Sequence, residues 1–233
     1  MNYLLHYYLD AHHATAAYSV GGALPDLSRL RGQGFRLRVG HWGGHLAGPV
    51  PELTPTQTMC EAGLARHYAV DAQWHNSALF TELQQKAKEV VAAQGLQVKR
   101  TSFLVHIGTE MLLDRALLHA QPDIATQFYA CFTPAALEAV YSLVALKGHG
   151  AWLPKLQTGI EAFVRRAYLQ DYAGTYLART WPEIYQHVTG DATACTYPEA
   201  QWLAAVKALT EAFRQQVIFK DLRQAYSQST RTA

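Results

Sequence analysis

The chain has 233 residues, 49% of them hydrophobic and 16% charged, with 20 Lys and Arg against 18 Asp and Glu. That length gives one domain of ordinary to large size with ample core, and so apolar a composition with a net charge of +2 excludes an intrinsically disordered chain. Cys60, Cys131 and Cys195 are odd in number and far apart, which excludes a disulfide scaffold or a cysteine metal knuckle, and the near-neutral balance gives no chain-wide attraction to nucleic acid or anionic lipid.

From Asn2 to about Leu30 the pattern is apolar and helix-compatible, and Gly21, Gly22 and Pro25 predict two short helices with a break just before Asp26, which then starts a helix. The first ten residues have no basic segment and carry His6 and Asp10, so no secretory leader is expected. Apolar runs are broken well before about 18 residues, which predicts no membrane span, and the scattered cysteines without disulfide spacing fit a reducing, cytoplasmic setting. Residues 32–55 hold six glycines (Gly32, Gly34, Gly40, Gly43, Gly44, Gly48) with Pro49, Pro51 and Pro55, the composition of a long loop or mobile flap.

Thr56 to about Gly95 reads as two successive helices broken near Asn76 to Thr81, with Gly95 as the C-terminal cap. A third long helix runs from Thr101 to His119 and stops before Pro122. Thr133 followed by Pro134 is an N-cap with proline at the first helical position, opening a helix that ends at Gly148-His149-Gly150. Further helices are predicted over Pro154 to Arg179 and Pro198 to Tyr226, with a short Trp181 to Val188 segment between them and a frayed tail over 227–233. Runs of alternating β-branched residues are missing, so the expected fold is all-α: a single-domain helical bundle of about seven or eight helices over 1–226.

Eleven histidines stand out. His67, Asp71 and His75 follow one another at i, i+4 and i+8, so they stack along one stripe of a helix and offer N, O and N ligands. His106, Glu110 and Asp114 repeat the spacing with N, O and O. Two facing helices with such stripes form a metal cradle suited to Mn, Fe, Zn or Ni, which His6 and Asp26 could complete from the N-terminal segment. One His-x-x-x-Asp pair alone reads more plainly as a surface couple. Two stripes beside Phe103-Leu104-Val105 and Met111-Leu112-Leu113 do not, because burying unpaired charge is costly. Asp114 is the weakest member, since the adjacent Arg115 offers it an ion pair.

Other patterns are poorer. His41-Trp42-Gly43-Gly44-His45 reads as a mobile lid, and His12-His13 as cap or solvent-facing residues. The glycines of 32–44 lack the Gly-Lys-Ser/Thr ending of a P-loop, and no Gly-x-Ser-x-Gly elbow occurs. Trp152, Tyr168, Tyr172, Tyr176 and Trp181 recur at helical spacing and read mostly as core.

The opening Met-Asn-Tyr-Leu-Leu-His6, the segment Gly21-Gly22-Ala23-Leu24-Pro25-Asp26 followed by Arg29, and Arg66-His67-Tyr68-Ala69-Val70-Asp71 resemble three N-terminal blocks of the bacterial acyl carrier protein phosphodiesterases. A fourth block aligns with His106-Ile-Gly-Thr-Glu110-Met111, with Arg115 on a frequent family arginine. The chain thus resembles a divergent member of that family, over residues 1–30 and about 60–118. The resemblance implies a fold like that of the HD-domain metal phosphohydrolases and a divalent-metal, typically manganese-dependent, phosphodiesterase acting on holo acyl carrier protein. His6, Asp26, His67 and Asp71 match the family pattern directly. At three other positions, here His75, His106 and Glu110, this chain differs from the family yet keeps metal-competent groups, and His gives way to Met111. The richer nitrogen content tilts the expected ion toward Zn, Fe or Ni.

The expected mechanism is hydrolysis of a phosphoester by metal-activated water. The ion is held by His67, Asp71, His106 and Glu110 with Asp26 and His6, acid catalysis falls to His75 or His6, and Arg29 and Arg115 bind phosphate charge. The expected partner is acyl carrier protein or a small phosphoester, with neither nucleic acid nor membrane. The rival is a noncatalytic helical binding protein that keeps a buried His-carboxylate cluster. A carboxylate di-iron oxidase is disfavoured because no pair of Glu-x-x-His motifs is present.

Overall fold

The computed structural model describes residues 3–10, 15–28, 35–43 and 51–216. Among them are ten α-helices and no β-strand, so the all-α class holds with more helices than expected. They are α1 (Tyr3–Asp10), α2 (Ala16–Leu27), α3 (Pro55–His75), α4 (Ala78–Ala93), α5 (Thr101–Ala120), α6 (Ile124–Ala130), α7 (Pro134–Val144), α8 (Leu153–Arg166), α9 (Tyr176–Thr189) and α10 (Glu199–Gln216). Arg29, His12, His13, His45, the tail 227–233 and the predicted last helix beyond Gln216 lie outside the described residues.

Local chemistry sets most boundaries. Ser77 accepts the Phe80 N–H and starts α4 after the break at residues 76–77, and Gly95 follows α4 at φ 68°. Thr133 accepts the Ala136 N–H ahead of Pro134 and so opens α7. The stop at Gly148 is also present: this glycine takes φ 83° inside a π-helical turn, Ala145–His149. The predicted helix over 154–179 is instead two, because Ala167 turns left-handed at φ 49° and a 3₁₀ segment, Tyr168–Ala173, precedes α9. The short 181–188 segment is the body of α9.

The expected break before Asp26 is absent. Helix α2 runs through Gly21, Gly22 and Pro25, and Asp26 sits in its last turn. The glycines serve a close helix crossing: a Cβ on Gly21 would lie 2.2 Å from the Cys60 carbonyl oxygen, and one on Gly63 would lie 2.0 Å from that of Tyr18. Pro25 removes the N–H that would bond the Gly21 carbonyl, and α2 ends two residues later, at Leu27.

The chain divides into two compact units. Among the described residues one comprises 3–5, 72–125 and 168–216, the other 6–71 and 126–167. In the first unit α5 is central, packed against α4, α9, α10 and the 168–173 turn. Trp181 lies over Gly108 of α5, donates from Nε1 to the Leu104 carbonyl at 2.9 Å, and meets Trp202 edge-on at 5.2 Å between centroids. In the second unit α2, α7 and α8 pack on one another, and α2 crosses α3 at the two glycines.

Residues 35–43 of the predicted flap are anchored rather than free. Lys147 Nζ donates to the Arg38 carbonyl and to Glu61 Oε1, both at 2.9 Å, and sits 4.2 Å from the Trp42 ring centroid. The Gly43 N–H donates to the Leu146 carbonyl at 2.8 Å, and Phe35 stacks on His149 at 4.6 Å. Among the described residues no single helix is long and apolar enough to cross a membrane; a pair bent by 65°, Ile124–Ala130 with Pro134–Arg166, reaches that length and composition only jointly.

Candidate metal centres

Helix α3 places His67 and Asp71 one turn apart, as their spacing predicts, and His67 Nε2 lies 3.8 Å from Asp71 Oδ2. His6 joins them from α1, with Nε2 3.3 Å from Asp71 Oδ1 and its ring stacked on that of His67 at 4.3 Å. One ligand atom from each of the three lies within 4.8 Å of the others. His67 is buried, its side chain 4% exposed, while Asp71 is half-exposed.

Burial, reinforced by the neighbouring His6 charge, pushes His67 down to about 4, against the opposing pull of Asp26 and Asp71. The imidazole is therefore neutral at neutral pH, the state in which it can donate a lone pair to a metal. Its Nδ1 is buried with no hydrogen-bond partner among the described residues. A buried ring with a spare nitrogen, beside a second imidazole and a carboxylate, is a donor set that fits a divalent transition metal. Asp26 acts on His67 through its charge but is not one of the three converging groups.

A second trio stands in the other unit. His75 Nε2 and His106 Nε2 lie 3.2 and 3.4 Å from the same oxygen, Oε1 of Glu110. Burial alone would raise the Glu110 carboxyl, yet it is held well below the usual carboxylate range, first by the charge of the chain's N-terminal amine and then by hydrogen bonds from His106 and His75. Phe80 packs on both rings, at 4.9 Å from His75 and 5.4 Å from His106. On the far side of His106, the Gln84 amide nitrogen lies 3.0 Å from Nδ1. Either trio could hold a metal ion.

The predicted stripes are thus divided: His67 and Asp71 group with His6, while His75 groups with His106 and Glu110. Asp114 belongs to neither. It is fully buried, and its two carboxyl oxygens accept the N–H groups of Leu4 at 3.2 Å and Leu5 at 3.0 Å, capping the start of α1 rather than pairing with Arg115. Burial pushes its carboxyl up to about 8 although those two N–H groups pull it down.

Arg115, expected at a phosphate, is instead a structural clamp: it donates from Nε to Thr210 Oγ1 at 2.9 Å and from its guanidinium to the carbonyls of Tyr172 and Gly174. Gln84 and the buried Lys147–Glu61 pair escaped the sequence reading. The first carries no titratable group, and the only signal for the second is a lysine inside the apolar run Val144-Ala145-Leu146-Lys147.

Comparison with known proteins finds no match, whether among family models, curated proteins or solved structures.

Proposed function

We propose that this protein is a divalent-metal-dependent phosphoesterase, akin to acyl carrier protein phosphodiesterase, with its ion held by His6, His67 and Asp71. The supporting observation is convergence: His6 lies 65 residues from Asp71 in sequence, yet its Nε2 is 3.3 Å from that carboxylate, beside a neutral, buried His67. These are the residues on which the sequence blocks agree.

An ion bound there supplies Lewis-acid polarisation of a phosphoryl oxygen and a lower pKa for water. His67, shielded from solvent, offers a lone pair that protons do not contest near neutral pH. Asp71 brings the negative charge on a half-exposed carboxylate. His6, stacked on His67, completes the ligand set and fixes the plane of its neighbour. Asp26 adds negative charge that steadies a cation beside His67. Arg29, three residues on in sequence, is the group proposed for the remaining phosphate charge.

The test is elemental analysis of untagged protein together with hydrolysis of bis(p-nitrophenyl) phosphate and of holo acyl carrier protein, with His67→Ala alongside. A tightly held ion and turnover, both lost in His67→Ala, are expected. The rival binding-protein reading draws on the hydrogen-bond length of the His6–Asp71 contact, 3.3 Å. An ion-free parent, still empty after incubation with Mn, Fe, Zn and Ni, decides for that rival.

A further inference from the structure

We infer that His75, His106 and Glu110 form a second, independently loading metal site for a zinc-class dication, with Gln84 as the residue that orients His106. The inference stands on donor geometry and does not depend on phosphoester hydrolysis.

Three features of the trio agree. Imidazole nitrogens and a carboxylate oxygen each about 2.0–2.2 Å from a zinc ion at the tetrahedral angle are roughly 3.3–3.5 Å apart. The two nitrogen-to-oxygen distances here are 3.2 and 3.4 Å, and both end on the same oxygen. Two nitrogens with one carboxylate favour zinc or its neighbours over magnesium or calcium, which take oxygen sets.

The surroundings are those of a metal site that exchanges with solvent. Phe80 supplies an apolar wall against both rings, and Glu110 is buried with only 6% of its side chain exposed. His75 and His106 are 32% and 34% exposed, so solvent reaches both rings. Gln84, one turn after Phe80 on α4, reaches His106 Nδ1 at 3.0 Å. The amide nitrogen of Gln84 faces Nδ1; turning the amide end for end brings its oxygen to the ring, where it accepts the Nδ1–H and leaves the Nε2 lone pair facing Glu110 and His75. Ligating histidines take such an outer partner as a rule, and its loss weakens metal binding about 10- to 100-fold.

The experiment is equilibrium dialysis of the full chain against Zn²⁺, repeated with Co²⁺ while following the visible d–d bands. His106→Ala is expected to bind one equivalent fewer than the parent and to lose one Co²⁺ band, while His67→Ala keeps that equivalent. Gln84→Ala is expected to keep the capacity with about 10- to 100-fold weaker Zn²⁺ binding. Unchanged stoichiometry in His106→Ala, or loss of all zinc in His67→Ala, overturns the site. Should His106→Ala fail the folding check by circular dichroism, Gln84→Ala decides: an affinity equal to the parent's overturns the inference. A protein that loads this site but turns over no phosphoester refutes the hydrolase reading alone.

Discussion

The imidazoles of His6 and His67 stack with centroids 4.3 Å apart and planes 21° from parallel. Two positive rings in that arrangement repel, which adds to the burial that keeps His67 neutral.

A pH dependence of stability follows for chelated protein. His67 titrates at about 4 when folded against about 6.5 when unfolded. Between these values the unfolded chain binds more protons, so stability rises with pH from about 4 to about 6.5 and then levels, a gain of at most about 3 kcal/mol. Urea denaturation across that range measures it, and His67→Gln should flatten this part of the profile. An equally steep profile in the variant refutes the assignment.

Gly108 carries the weight of Trp181. A Cβ there would lie 2.0 Å from Trp181 Cζ2, and the ring is fully buried against Trp202. Gly108→Ala should cost about 1–3 kcal/mol in denaturant unfolding. Gly150, with φ −54° and nothing within 4 Å of the added Cβ, is the control: Gly150→Ala should be neutral or stabilising by up to about 1 kcal/mol.

Lys147 is 1% exposed and joins Glu61 to the carbonyl of Arg38. Lys147→Met leaves a largely buried carboxylate without its cation, a loss of about 3–5 kcal/mol. It should also free residues 35–43, so that trypsin cuts at Arg36 or Arg38 sooner than in the parent. Unaltered cleavage kinetics would show that the segment is held by other contacts.

Asp114 caps α1 through the N–H groups of Leu4 and Leu5. Asp114→Ala should lower stability by about 0.5–2 kcal/mol and speed hydrogen exchange at those two amides, with Asp114→Asn intermediate. Amide protection that is unchanged in Asp114→Ala speaks against the cap.

Where the signal was local, the sequence disclosed the structure. Thr133-Pro134 and Gly95 mark helix ends by their own backbone chemistry, and the four-residue step from His67 to Asp71 brings the two within 3.8 Å. Tertiary partners were hidden. Periodicity sets His75 on the stripe of His67, but which helix meets each turn is decided by packing. Asp114 finds its partner 110 residues away, in the N–H of Leu4. Gly21 and Gly22 look like a break because propensity registers missing side chains and not, at Gly21, the α3 backbone that requires the absence. Ala167 turns left-handed without the glycine or asparagine that would have announced it.

The crossing at Gly21 and Gly63 has mechanical meaning. The α2 and α3 backbones touch there, and Cys60 Sγ, a turn before Gly63, donates to the Ala17 carbonyl at 3.1 Å, pinning the two helices axially. His67 stands one turn beyond Gly63 on α3. The glycine contact is thus a fulcrum: a methyl group inserted at Gly63 would lever α3 away from α2 and swing the His67 imidazole out of register with His6, parting the converging trio without touching any of its three side chains.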